Sequence, residues 1–192
     1  MTAHDLSIFT TNFAWKKKWT PTIIGDYAEI PLTRGMKALV SIEDLPVVSP
    51  FKWQARGVVG SGSFRAISNR LVDGSMKPLH MSRLILQAPV ELVVDHISGD
   101  TLDNRRTNLR LCTLSQNSRN KRKKQGTSSR YKGVTFHKQS GKWAAVLKSS
   151  GKNFNLGLFK TQEEAAVAYD NAAKTHFGEF ARTNEMMFGA IA

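Results

Sequence analysis

Two short apolar stretches separated by a polar loop constrain the fold of this chain most. Residues 93–94 (VV) and 109–112 (LRLC) predict two short strands, and the Gly-, Asp- and Asn-rich residues between them predict a connecting loop. Thr113 then has the position of a helix N-cap, and Gln116 would complete a capping box, so a helix is predicted to run to about Lys123. The order strand, loop, strand, helix predicts a small finger on which polar side chains converge.

The polar residues of this finger suit the hydrolysis of a phosphodiester. That reaction needs a base to deprotonate water and a hard cation to neutralise charge on the phosphate. His96 can act as the base, and the oxygen atoms of Asp95 and Asn117 are ligands that hard cations prefer. Taken singly, an Asp-His pair is more often a surface hydrogen bond, and an Asn-rich loop more often serves the backbone. The joint spacing of these residues with Asn108 favours a nuclease.

The segment VDHISGDTLDNRRTNLRLCTLSQN resembles the HNH nucleases, which carry a ββα-metal finger, in the His-Asn-Asn form of phage and intron-encoded homing endonucleases. The resemblance implies that His96 is the general base and that Asn108 braces the loop as part of the catalytic set. It implies that Asp95 and Asn117 hold a divalent metal, which we expect to be Mg²⁺ or else Mn²⁺. Asn104 also fits the family's loop, and we interpret it as a turn residue first.

The charge of the chain favours a polyanionic partner. Its 192 residues carry a net charge of +13, which favours nucleic acid through counterion release. Residues 95–130 contain nine basic and three acidic residues, so the basic density peaks beside the expected site. Within the run 119–124, Arg119, Arg122 and Lys123 are expected to follow DNA phosphates, although such a run is often simply a solvated face.

The sequence contains no recognisable membrane-spanning or secretion signal, and it contains a single cysteine. We find neither an apolar stretch long enough to span a bilayer nor a signal-peptide core, so we expect a cytoplasmic protein of a bacterium or a phage-infected cell, without a membrane partner. Cys112 is the one cysteine. The paired cysteines of zinc knuckles are therefore absent, and no small-molecule cofactor besides the metal is expected.

The C-terminal region predicts a three-stranded antiparallel sheet followed by one helix. Residues 131–138, 142–148 and 153–159 read as strands separated by Ser- and Gly-containing turns. A capping box of Thr161 and Glu164 opens a helix on which alanines share one face.

This order, with YKGV, GKWAA, LGLF and EEAAVAYDNAA, resembles the Apetala-type DNA-binding domain of plant ethylene-response factors. The resemblance implies that the exposed face of the sheet enters the major groove. The corresponding DNA-contacting positions are Lys132, Thr135, His137, Lys148, Asn153 and Asn155. The family's guanine-reading arginines are missing there, so docking is implied while base readout is in doubt.

The fold class predicted for the whole chain is α+β. It comprises a small N-terminal β-rich accessory region, the finger, a linker, the sheet-and-helix domain and a tail. Their predicted bounds are 1–90, 91–124, 125–130, 131–184 and 185–192.

The sequence supports two functions from different classes. We prefer a metal-dependent endonuclease, homing-like, that nicks or breaks duplex DNA while the C-terminal domain holds the duplex. The alternative is a sequence-tolerant DNA-binding regulator whose finger has become structural, and an RNA-binding protein ranks third. Because every expected site residue lies between Asp95 and Asn117, a chain lacking residues 130–192 is expected to retain its chemistry.

Overall fold

The computed structural model describes residues 20–60, 62–120 and 128–191 and has the predicted α+β composition. The chain divides into two compact units, Met1–Thr113 and Leu114–Ala192. No helix within these described ranges is both long and apolar enough to cross a membrane.

The first unit consists mainly of short antiparallel strands. Strands β1 to β3 form one sheet in that order, β4 to β6 form a second, and β7 pairs with β8. The strands are β1 Thr22–Ile24, β2 Tyr27–Pro31, β3 Lys37–Ser41, β4 Gln54–Gly57, β5 Phe64–Val72, β6 Ser75–His80, β7 Val93–His96 and β8 Leu109–Cys112, and the α-helices are α1 Leu45–Val48 and α2 Met81–Ile85.

The end of β6 differs from the sequence expectation. The sequence PLHMSRLIL predicts a helix over residues 78–86 that leads into the first strand of the finger, but Pro78 pairs with Asn69 and the strand continues to His80. Helix α2 therefore begins at Met81. Pro78 is tolerated because β6 is an edge strand, where a missing backbone donor costs little.

One hydrophobic core joins the N-terminal strands to the strand pair β7–β8. Ile30, Val40, Trp53 and Met81 are buried in this core together with Leu109 of β8. Removing such side chains from water is the main stabilising contribution to a small unit. Residues 20–90 therefore share a core with β8, and the packing does not break at the predicted boundary near residue 90.

The second unit contains the predicted three-stranded sheet. Its strand order is β11-β10-β9, all antiparallel. The elements are α3 Leu114–Arg119, β9 Val134–His137, β10 Lys142–Ser149, β11 Lys152–Phe159, α4 Gln162–Phe177 and α5 Asn184–Phe188.

Helix α4 packs against this sheet through small side chains. Ala165 and Ala166 are buried against Val134 and Ala145 of the strands, and alanines permit a close approach of helix to sheet. The predicted capping box is present at the start of α4, because Thr161 Oγ1 accepts from the backbone N–H of Glu164 while the Glu164 carboxylate accepts from that of Thr161.

The division between the units lies before α3, whereas the sequence predicts a linker at 125–130. Helix α3 packs with the C-terminal residues of the second unit, close to the 3-10 turn Gly178–Phe180. The helix ends at Arg119. Residues 121–127, which include the predicted helix end at Lys123, lie outside the described residues.

Gly133 is required where the chain enters β9. Its φ is +76°, and an added Cβ would lie 1.9 Å from Cδ2 of Tyr169. We expect Gly133→Ala to lower the stability of the second unit by more than the roughly 1–2 kcal/mol that a left-handed alanine costs by itself.

Gly141 provides the matched control for this substitution. Its φ is +64°, but a Cβ there would meet nothing within 4 Å. Thermal unfolding of Gly133→Ala and Gly141→Ala should show the larger drop in Tm for Gly133→Ala, and equal drops would mean that contact with Tyr169 is unimportant.

Candidate active site

The two-stranded ladder of β7 and β8 places an acidic residue and a histidine next to each other at the end of β7. Asp95 lies opposite Arg110, and His96 lies opposite Leu109. Asp95 is 4% exposed and His96 is 7% exposed. Burying ionisable side chains costs free energy unless partners offset it. The hydrogen-bond partners of Asp95 and His96 therefore determine which protonation state each side chain adopts and in which direction it points.

Asp95 is held by an arginine of the neighbouring strand. Nε and Nη2 of Arg110 both donate to Oδ2 of Asp95, over 2.9 and 2.7 Å. This ion pair offsets desolvation of the carboxylate and fixes its direction. The sequence patterns do not mark Arg110 as a site residue. The register of the two predicted strands is the signal that would have placed it opposite Asp95.

Asn104 orients the ring of His96. Nε2 of His96 lies 3.3 Å from Oδ1 of Asn104, whose own amide nitrogen donates to the carbonyl of Leu102 over 3.0 Å. An amide oxygen only accepts hydrogen bonds, so Nε2 carries the proton and Nδ1 carries the lone pair of the neutral ring. Burial lowers the pKa of His96, and the hydrogen bond with Asn104 acts in the opposite direction. The neutral ring is the form that a general base needs.

Asn108 ties the two ends of the loop formed by residues 97–108, here called the site loop. Its Oδ1 accepts from the backbone N–H of Ser98 over 2.8 Å, and its Nδ2 donates to the carbonyl of Asp103 over 2.7 Å. Its backbone carbonyl also accepts from Ile97 over 2.9 Å. One buried amide thus satisfies backbone groups across the loop, which is a bracing role rather than direct chemistry.

The site loop is also fastened to the N-terminal strands. The N–H of Leu39 in β3 donates to the carbonyl of Leu102, and the N–H of Asn104 donates to the carbonyl of Leu39, over 2.9 and 2.7 Å. Further along, Arg106 forms an ion pair with the buried Asp44, with Nη2 and Oδ1 2.8 Å apart. The N-terminal strands therefore support the residues that orient His96.

Asn117 is carried by the second unit. It lies on α3, is half-buried, and its carbonyl accepts from the backbone N–H of Asn120 over 3.2 Å. Of the four expected site residues, Asp95, His96 and Asn108 are gathered in the first unit, and Asn117 stands on a helix that belongs to the second.

The expected metal ligands have donor chemistry that fits a hard divalent cation. Asp95 offers carboxylate oxygen and Asn117 offers amide oxygen. Mg²⁺ in proteins is commonly held by one or two carboxylates together with waters and substrate phosphates. Over the residues that the structure describes, no group of three or more His, Cys, Asp or Glu side chains is placed to hold a metal ion.

The second unit presents a polar sheet face opposite the face that packs on α4. Lys148 lies beside Asn153, and Lys142 lies beside His137, as cross-strand partners. Exposed members of this open face are Thr135, His137, Lys142, Lys148, Asn153 and Asn155. Five of these six are predicted DNA contacts, and Lys142 is a cation that the resemblance does not mark.

Lys132 and Arg119 have other partners. The Lys132 ammonium donates to the carbonyl of Arg119, and burial lowers its pKa to about 8, with Arg182 adding to the effect. The Arg119 guanidinium lies 4.8 Å from the ring centroid of Phe177. Lys132 is therefore removed from the expected DNA-facing set, because its charge is engaged inside the second unit. Arg122 and Lys123 lie outside the described residues.

Comparison with known proteins identifies two domains. Residues 87–119 match the model of the HNH endonuclease family, and residues 129–179 match that of the AP2 domain. An uncharacterized HNH endonuclease L560 of Acanthamoeba polyphaga mimivirus is 36% identical over 159 residues, which cover 81% of this chain and 78% of that protein. The chain belongs to the HNH endonuclease family and carries an AP2 domain.

Plant transcription factors resemble the AP2 part alone. The AP2-like ethylene-responsive transcription factor CRL5 of Oryza sativa subsp. japonica is 49% identical over 69 residues, which are 33% of this chain and 11% of that protein. The ethylene-responsive transcription factor ERN3 of Medicago truncatula is 50% identical over 58 residues, covering 29% of this chain and 24% of its own length.

The buried ion pair predicts a stability effect in the first unit. Arg110→Met leaves the Asp95 carboxylate buried without its cation, and such a loss typically costs about 3–5 kcal/mol. We expect urea unfolding to show a loss of that size. The double variant Asp95→Asn with Arg110→Met should recover most of it, because an amide costs less to bury than a carboxylate.

Arg70→Met is the matched control, since Arg70 is exposed on β5. It should change stability by less than about 0.5 kcal/mol. If Arg110→Met lowered the free energy of unfolding no more than Arg70→Met does, the ion pair would not be offsetting the cost of burying Asp95.

Proposed function

We propose that the protein is a metal-dependent DNA endonuclease that hydrolyses phosphodiester bonds of duplex DNA. The observation that carries the proposal is the buried pair Asp95 and His96, in which Asn104 fixes the histidine tautomer and Arg110 fixes the carboxylate. A buried histidine directed by a buried amide is arranged for proton transfer more than for surface solubility.

His96 is the general base in this mechanism. With the proton held on Nε2 by Asn104, Nδ1 accepts a proton from the attacking water. Burial keeps the ring neutral and ready to accept that proton near neutral pH. Asn108 holds the site loop in the conformation that places Asn104 beside His96.

Asp95 and Asn117 would hold a divalent metal, which we propose to be Mg²⁺, with Mn²⁺ as the second choice. When bound, the metal supplies positive charge that stabilises the phosphate and the leaving oxygen. Arg110 grips Oδ2 of Asp95 and so sets the direction in which this carboxylate is presented.

The open face of the AP2 sheet supplies the DNA anchor. Its strands carry lysines and asparagines but no arginine, and bidentate contacts by arginine are the commonest way of reading guanine. We therefore propose that this face binds the duplex mainly through phosphates and tolerates many sequences. The homing-like role that we propose rests instead on the resemblance of the finger to phage and intron-encoded HNH endonucleases.

A DNA-binding regulator with a structural finger is the second candidate. The Asp95–Arg110 ion pair favours it, because the carboxylate proposed to bind a metal is already neutralised by a cation. This candidate predicts DNA binding without cleavage in any divalent metal.

Replacement of His96 tests the nuclease proposal. We expect His96→Ala to lower the rate of DNA cleavage by about 10²–10⁴-fold, the usual contribution of a general base. Duplex affinity measured in EDTA should change little, because His96 is buried. His176→Ala, an exposed histidine on α4, is the control and should cleave at the wild-type rate. Cleavage by His96→Ala within about tenfold of wild type would exclude the assigned role.

The sheet proposal predicts a change in salt dependence. Replacing Lys142 and Lys148 with Ala should weaken binding to unrelated duplexes alike, and should flatten the slope of log affinity against log salt by about 0.9 for each phosphate that is no longer neutralised. Lys174→Ala on α4 is the control and should retain the wild-type slope. An unchanged slope in the double variant, or weaker binding confined to particular base pairs, would contradict phosphate anchoring.

A further inference from the structure

Helix α3, which carries Asn117, is too short to be stable alone. It spans six residues, and isolated helices below roughly 12–15 residues are marginal in water. Its conformation must therefore come from tertiary contacts. Within the second unit, those contacts are made by residues that follow α4 and by the segment that leads into β9.

Two cations hold the C-terminal end of α3. The Lys132 ammonium donates to the carbonyl of Arg119, and Nη1 of Arg182 donates to Oδ1 of Asn120 over 3.2 Å. Carbonyls at this end of a helix lack intrahelical donors and carry partial negative charge. Lys132 is such a donor to the backbone carbonyl of Arg119, and Arg182 adds a contact with the side-chain oxygen of Asn120, so a charged group and a second hydrogen bond both hold this helix end.

A short path connects this contact to the proposed metal ligand. Asn120, whose side chain Arg182 holds, donates its backbone N–H to the carbonyl of Asn117 over 3.2 Å. A shift of Asn120 would therefore move the backbone of Asn117 directly. One hydrogen bond separates the residue gripped by Arg182 from the residue proposed to bind the metal.

Lys132, one of the two cations at the end of α3, is itself held by a buried polar network. Asn184 is fully buried, accepts from the backbone N–H of Lys132 over 2.6 Å, and donates to the carbonyl of Lys132 over 3.1 Å. Its backbone N–H and its amide both donate to Oδ1 of Asp170 on α4, over 2.7 and 2.9 Å. Satisfied buried networks of this kind are rigid. Lys132 is thus fixed to the long helix of the AP2 domain.

We propose that Arg182, together with Lys132, is a positioning residue for Asn117, so that residues of the second unit beyond α3 orient a proposed metal ligand as well as anchoring DNA. The inference rests on the proposed nuclease function. It reverses the expectation from sequence that a chain without residues 130–192 retains its chemistry, because that deletion removes both cations and the network beneath them.

The test measures the dissociation constant of Mg²⁺ by calorimetric titration of the full-length protein, and in parallel the Mg²⁺ concentration that gives half-maximal plasmid cleavage; Arg182→Met should raise both values. Loss of a residue that orients a metal ligand typically weakens metal affinity by about 10–100-fold. We expect Arg182→Met to raise the half-maximal Mg²⁺ concentration by that factor, with cleavage partly restored at high Mg²⁺ and with DNA affinity in EDTA unchanged. Arg182→Lys keeps a cation, so its half-maximal Mg²⁺ concentration should lie between those of the wild type and Arg182→Met.

Arg130→Met is the matched control, because Arg130 is an exposed arginine of the same unit. It should retain the wild-type Mg²⁺ dependence. Asn120→Ala removes the same hydrogen bond from the other side and should reproduce the effect of Arg182→Met. Circular dichroism and thermal unfolding establish that each variant is folded.

The outcomes separate this inference from the proposed function. If the wild-type protein fails to cleave with any divalent metal, the proposed function fails. If the wild type cleaves but folded Arg182→Met and Asn120→Ala show its Mg²⁺ dependence, the positioning role alone is overturned. Unfolding of both variants would also overturn it, since Arg182 would then serve general stability.

Discussion

A two-stranded ladder with four residues in each strand cannot stand alone in water. The ladder that carries His96 is stabilised by contacts with the N-terminal strands. Leu109 of β8 is buried in the core built by the N-terminal strands, and the site loop is tied to β3 through Leu39. The position of His96 therefore depends on residues more than fifty positions earlier in the chain. The N-terminal strands therefore form part of the structural support of His96 and the site loop.

Both units stabilise buried polar groups by pairing them. In the first unit, Arg110 offsets the burial of Asp95. In the second, Asp170 and Asn184 form a network that continues to Lys132. Breaking such pairs leaves one partner uncompensated, and that loss costs more than the intact pair gains. The polar contacts therefore fix geometry as well as contributing stability, which is what a site made of few ligands requires.

Features set by local chemistry could be predicted from the sequence. Short apolar stretches located β7 and β8, Ser- and Gly-containing turns separated the three strands of the AP2 sheet, and the Thr161 capping box located the start of α4. Features set by distant contacts could not. The assignment of α3 to the second unit depends on contacts such as that of Arg182 with Asn120, sixty-two positions apart, whereas Arg110 could have been placed opposite Asp95 by pairing the two predicted strands. The ammonium of Lys132 illustrates the same limit, because only tertiary structure shows that it is turned inward.

Conversion of supercoiled plasmid by the purified full-length protein tests the central claim most directly. With Mg²⁺ present, the account predicts nicked or linear plasmid, and with EDTA it predicts supercoiled plasmid that is bound but intact. A protein that shifts the plasmid in a gel yet leaves it supercoiled in both Mg²⁺ and Mn²⁺ would contradict the account, and would favour a DNA-binding regulator with a structural finger.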